Sequence, residues 1–109
     1  MDLKYDEFVG TLFKDMGERE KNLAHAALGI AGEAGEVVDI IKKHFAYGKP
    51  LPLAEVVKEL GDLLFYIQAM MNLLDIKMDL VLMNNMAKLT ERFGGSYSDE
   101  KAIARADVK

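Results

Sequence analysis

Two short acidic pairs carry the chemical potential of this 109-residue chain: Glu33-Ala34-Gly35-Glu36 and Glu59-Leu60-Gly61-Asp62. Each spaces two carboxylates three residues apart inside an apolar run. On a helix that spacing puts both groups on one face, about 60° apart and about 4.5 Å along the axis. Charges in such surroundings are costly unless a cation or hydrogen bonds compensate them. Clustered carboxylates also repel and raise one another's pKa, and a hard divalent cation resolves that conflict. All-oxygen ligation suits Mg²⁺, with Mn²⁺ as a possible substitute. A di-iron bundle site would ask for Glu-x-x-His pairs, and neither His25 nor His44 follows a glutamate by three. A single Glu-x-x-Glu is most often a solvated helix face. Two pairs set about one tight turn and embedded among Leu, Ile, Val and Gly argue for a site, to which Asp39 adds either an outer ligand or a solvated group.

The elements that must position these pairs are helices. Residues 4 to about 16 place Phe8, Val9, Leu12, Phe13 and Met16 at helical spacing, with Gly17 as the stop. Glu18 to Asn22 reads as loop or as exposed first turns. From Leu23 to about Ala46 a proline-free run predicts one long helix, on which Leu28, Ala31, Val38, Ile41 and Phe45 can share a face. Gly29, Gly32 and Gly35 each cost up to about 1 kcal/mol relative to alanine there, which predicts close approach by another helix or by a ligand. Gly48 to Pro52 breaks the helix. A third helix runs from about Leu53 to Leu74, apolar almost all round from Leu63, and is expected to be central and covered on several sides. Asp75 to Lys77 is a turn, and Met78 to about Phe93 a fourth helix closed by Gly94-Gly95. Ser98 is a candidate N-cap for a short C-terminal helical turn in a partly ordered tail, 96–109.

No strand alternation, repeat or low-complexity block is visible. The expectation is an all-α, four-helix bundle-like fold, a single domain over 1–109. If the second and third helices pack antiparallel across the Gly48 to Pro52 connection, Glu33 and Glu36 face Glu59 and Asp62, with Glu36 and Asp62 at similar depth.

Composition narrows the partners. A net charge of −4 without a long Lys/Arg run argues against a nucleic-acid polymer. The absence of cysteine removes disulfides and thiolate sites, and the N-terminus lacks the pattern of a signal peptide, so a cytoplasmic location is expected. The longest apolar run, Leu63 to Leu74 with Gln68 and Asn72 inside it, is short of the roughly 20 residues that span a bilayer. No membrane partner is therefore expected. Met70, Met71, Met78, Met83 and Met86 read as core or subunit interface, and the excess of apolar faces on the third helix predicts self-association.

Asn85, Lys88 and Arg92, at i, i+3 and i+7, fall within about 60° of one another. Facing a metal cluster, an amide and two cations make a phosphate clamp; facing solvent, they make a basic stripe that pairs with Glu91 or other acids. Lys42, Lys43 and His44 complement the dipole at the end of the second helix. His25 is a weaker candidate for base contact, beside Phe13 and Asn22, or else a core histidine.

At these residues the chain resembles the MazG-like, all-α nucleoside triphosphate pyrophosphohydrolases, whose signature is Glu-x-x-Glu followed after a dozen to some two dozen residues by Glu-x-x-Asp. Here the motif is Glu33, Glu36, Glu59 and Asp62, with 22 residues between the pairs. The flanking Gly29 to Glu36, Glu59 to Leu64 and Asn85 to Phe93 look like the family too, and the resemblance covers about 23–98. Gly32 departs from it, since many relatives carry a further glutamate there. The resemblance implies Mg²⁺-dependent hydrolysis of a (deoxy)nucleoside triphosphate between the α and β phosphates, with the four carboxylates as catalytic and metal-binding residues and Glu33 or Glu36 as general base. It also implies a nucleotide-pool house-cleaning role and a homodimer or homotetramer. The alternatives are a non-catalytic helical interaction module with a structural cation site, and a dUTP or phosphoribosyl-ATP pyrophosphatase of the same superfamily.

Overall fold

Helix α1 is shorter than its apolar period suggests: it spans Tyr5–Leu12 and ends at Phe13, whose backbone is extended. The computed structural model describes residues 4–94 and 99. Side-chain hydrogen bonds just beyond α1 explain its early end. Asp15 Oδ1 accepts from the Gly17 amide at 2.8 Å and from Asn22 Nδ2 at 3.1 Å. Asn22 Oδ1 accepts from the Met16 amide at 2.8 Å. Such local partners compete with the helical ladder, so Gly17, at φ 90°, serves this loop and does not cap a helix.

Helix α2, Arg19–Tyr47, takes in the 19–22 stretch as its first turn, with the charged residues 19–21 exposed and Asn22 buried, and stops at left-handed Gly48. Helix α3, Leu53–Leu73, follows the 48–52 connection. Helix α4, Met78–Phe93, ends at left-handed Gly94, whose amide donates to the Thr90 carbonyl at 2.7 Å. Among the described residues there is no strand, and the protein is all-helical. The expected cap at Ser98 and most of the tail lie outside the described residues.

The chain divides into two compact units, Met1–Asp75 and Ile76–Lys109. In the first, α2 and α3 form a helical hairpin and α1 packs on α3. Val9, Ala26 and Ala69 are buried at the centre, with Phe13, Phe65, Met70 and Leu73 against them. Small side chains at Ala26 and Ala69 let the helices approach closely. Asn72 ties α3 to α1 by donating to the Asp6 carbonyl at 2.9 Å, and buried Gln68 donates to Asn72 Oδ1 at 2.9 Å.

Coverage of α3 is less than expected. Leu53, Val57, Leu60 and Leu64 are exposed, because the packing of α1 and α2 leaves that side of the helix open. The shared apolar face of α2 is open too, with Leu28 73% and Phe45 88% exposed. The second unit contains α4, where Leu80, Met83 and Met86 are exposed. Among the described residues no helix is long and apolar enough to cross a membrane.

Candidate functional site

The hairpin draws together Glu33 of α2 with Glu59 and Asp62 of α3: one carboxylate oxygen from each lies within 4.8 Å of the others, and all three residues are half-buried. The Glu59 side chain is 14% exposed and pairs with Lys58 Nζ at 3.4 Å. Glu36 stands outside this trio. It is exposed and lines a neighbouring cavity that it shares with Glu59. Equal depth of Glu36 and Asp62 assumes a symmetric turn. The 48–52 connection is an irregular segment of several residues, and the register it sets brings Glu33 to the carboxylates of α3.

Electrostatics mark the trio as a place short of positive charge. A hydrogen bond with Glu59 raises the pKa of Glu33 above its ordinary 4.5, reinforced by burial and by the charges of Asp62, Glu59 and Glu36. The raised pKa of Glu33 shows that its negative charge is disfavoured beside the other carboxylates, a cost that a cation could relieve. Burial, then the charge of Asp62, raises the pKa of Tyr5, which brings the first residue of α1 within electrostatic reach of the cluster. Three carboxylate oxygens at this separation, held half-buried by two packed helices, fit a hard divalent cation.

A pH dependence follows. Because the folded-state pKa of Glu33 is raised, the native state holds its proton above the ordinary carboxylate range. The contribution to stability is full below that range and is lost as pH rises through the folded pKa. A divalent cation bound by the trio would take over the proton's role, so the rise in Tm on adding Mg²⁺ should be larger at pH 8 than at pH 5. A rise that is flat or smaller at pH 8, measured by thermal unfolding, contradicts this account of the site.

An aromatic wall adjoins the carboxylates. Glu33 and Asp62 line a cavity of about 350 Å³ together with Phe65 and Tyr66. Tyr66 lies against the backbone of α2 at Gly29, where a Cβ would overlap ring atoms Cγ, Cδ1 and Cε1. Of the three spaced glycines, this one alone answers the expectation of close approach within the chain; a Cβ on Gly32 or Gly35 would meet open space. His25 stacks on Phe13 with centroids 4.7 Å apart and meets the edge of Tyr66 at 5.9 Å. Its buried Nδ1 has no hydrogen-bond partner. His25 therefore belongs to the aromatic cluster that also contains Phe65 and Tyr66. Sequence reasoning passed over Phe65 and Tyr66, although they follow Asp62 at i+3 and i+4 and so had to share its face. Asn22, by contrast, uses its amide to hold the 15–17 loop.

Asn85, Lys88 and Arg92 lie along α4, the first two exposed and Arg92 half-buried with its guanidinium 5.5 Å from the centre of the Phe93 ring. Lys88 and Arg92 both have interaction partners.

Residues 20–94 match the MazG nucleotide pyrophosphohydrolase domain, a span that includes all four motif residues, α3 and α4. The chain is 30% identical over 76 residues to the Gene 37 protein of Mycobacterium phage L5, covering 66% of this chain and 67% of that one. No solved structure matches significantly. A helical hairpin that gathers Glu33, Glu59 and Asp62, in a sequence matched from α2 through α4, thus belongs to the MazG nucleotide pyrophosphohydrolase domain family.

Proposed function

We propose that this protein hydrolyses a nucleoside or deoxynucleoside triphosphate between its α and β phosphates, releasing the monophosphate and pyrophosphate, in a nucleotide-pool house-cleaning role. The observation that carries the reading is the Glu33–Glu59–Asp62 trio beside the Phe65–Tyr66 wall. Carboxylates alone suggest only a cation, whereas a cation site joined to flat apolar rings suits a phosphate chain attached to a nucleoside.

Mg²⁺, or Mn²⁺ in its place, would be held by Glu33, Glu59 and Asp62 with Glu36 beside them, and it supplies charge neutralisation and a lowered pKa for water. Water attacks the α phosphorus, the bond to the α–β bridging oxygen breaks, and pyrophosphate leaves with that oxygen. Glu33 or Glu36 accepts the proton of the water as general base. Asn85, Lys88 and Arg92 are assigned to phosphate binding by hydrogen-bonding type and charge.

The test is to incubate the protein with each (d)NTP and Mg²⁺, with dUTP and phosphoribosyl-ATP in the panel, and to identify products. Monophosphate and pyrophosphate are expected from at least one of them. Orthophosphate and diphosphate, or no turnover with any, would overturn the proposal.

The same reading includes a homodimer or homotetramer. Leu53, Val57, Leu60 and Leu64 repeat at i, i+4, i+7 and i+11 along α3 and are exposed, the spacing of a helix–helix seam. Sedimentation at micromolar concentration should give a multiple of 12.2 kDa; a monomer refutes self-association.

A further inference from the structure

We infer that the connection between α2 and α3 binds the β,γ-phosphate half of the substrate, and then the pyrophosphate product, through Lys43 and Lys49; this rests on the α–β cleavage proposed above. A cavity of about 400 Å³ lies where the hairpin turns, within the size range of small-ligand sites. Glu36 and Glu59 line it together with Lys43, His44 and Lys49, so one of the three clustered carboxylates shares a space with two lysines.

Charge selects the occupant. Asp39 and Glu55 complete the ionisable lining, and its four carboxylates exceed its two lysines by two. A bare anion would be repelled there. A divalent cation on the motif glutamates removes the excess, which suits the cavity to a cation-bound phosphate chain and not to a free carboxylate or phosphate.

The lysines are also positioned. Asp39 Oδ2 holds Lys43 Nζ at 2.9 Å, one helical turn apart. His44 Nδ1 donates to the Lys49 carbonyl at 2.6 Å. A carbonyl can only accept, so His44 carries its proton on Nδ1. That bond spans left-handed Gly48 and fixes the backbone from which the Lys49 side chain leaves, which makes His44 a positioning residue. Compensation of a helix dipole accounts for Lys42, Lys43 and His44 at the end of α2. It does not account for Lys49, which lies beyond the helix, makes no ion pair among the described residues and yet lines the same cavity.

The test is calorimetric binding of inorganic pyrophosphate, and separately of nucleoside monophosphate, in Mg²⁺ to wild type, Lys49→Ala, Lys43→Ala and Lys49→Arg. Each alanine variant should bind pyrophosphate about tenfold more weakly, the loss of one charge-assisted contact, with monophosphate affinity unchanged and Lys49→Arg close to wild type. Pyrophosphate affinity that is unchanged in both alanine variants, or a parallel fall for both ligands, overturns the inference. The measurement requires no turnover. Failure of wild type to cleave any triphosphate brings down the functional reading, whereas unchanged pyrophosphate affinity brings down this one alone.

Discussion

Glu33→Gln should reduce turnover by about a hundredfold or more while raising the Tm of the metal-free protein by a few degrees. The two effects share one cause. Glu33 sits within 4.8 Å of carboxylate oxygens from Glu59 and Asp62, and its pKa is raised by the hydrogen bond to Glu59, by burial and by the neighbouring negative charges. A glutamine amide can donate to Glu59 at any pH, so the variant keeps the hydrogen bond and sheds a repelling charge. If the proposed function holds, the same change removes a cation ligand, and with it charge stabilisation worth several kcal/mol in a metal-assisted reaction, each 1.36 kcal/mol being about tenfold in rate. Wild type in Mg²⁺ at about a hundred times its Kd should gain about 2.7 kcal/mol of stability, and Glu33→Gln should lose most of that gain. Thermal unfolding in EDTA and in Mg²⁺, alongside a product assay, reads both. A variant less stable than wild type in EDTA at pH 8 would mean that Glu33 is held by favourable contacts and not by a cation.

The second large effect concerns three glycines with the same spacing and different surroundings. Gly29→Ala should destabilise the protein by about 1–3 kcal/mol, the usual cost of overpacking, because the new methyl group overlaps the root of the Tyr66 ring. The ring's attachment to Cβ leaves it little room to yield. Displacing Tyr66 should also reshape the cavity it lines with Glu33 and Asp62, so KM should change as well. Gly32→Ala and Gly35→Ala meet open space and should stabilise the isolated chain by up to about 1 kcal/mol each through helix propensity. Denaturant unfolding of the three variants decides the matter, and equal effects at all three positions would reject the packing argument.

Much of the architecture is legible in local sequence. Proline and glycine at 48–52 and glycine at 94 end helices for backbone reasons that act within a few residues, and helices α2, α3 and α4 begin and end within about four residues of expectation. Helix α1 begins as expected and ends about four residues early. Its apolar period continues through Met16, but Asp15 and Asn22 bind the backbone there, and such competition does not show in hydrophobic spacing.

The site divides along the same line. Sequence alone determined that the chain is helical, that Glu33 and Glu36 share one helix face and Glu59 and Asp62 another, and that a turn between them allows the faces to meet, since all of these follow from a 3.6-residue period and local breakers. Tertiary structure decided which carboxylates meet and what surrounds them. It selected Glu33 over Glu36 for the trio, turned Glu36 toward the cavity of Lys43 and Lys49, and laid Tyr66 on Gly29. Those outcomes depend on how far one helix slides along its neighbour, a quantity set by the packing of Ala26, Ala69 and Val9 and by the 48–52 connection, and no local pattern encodes it.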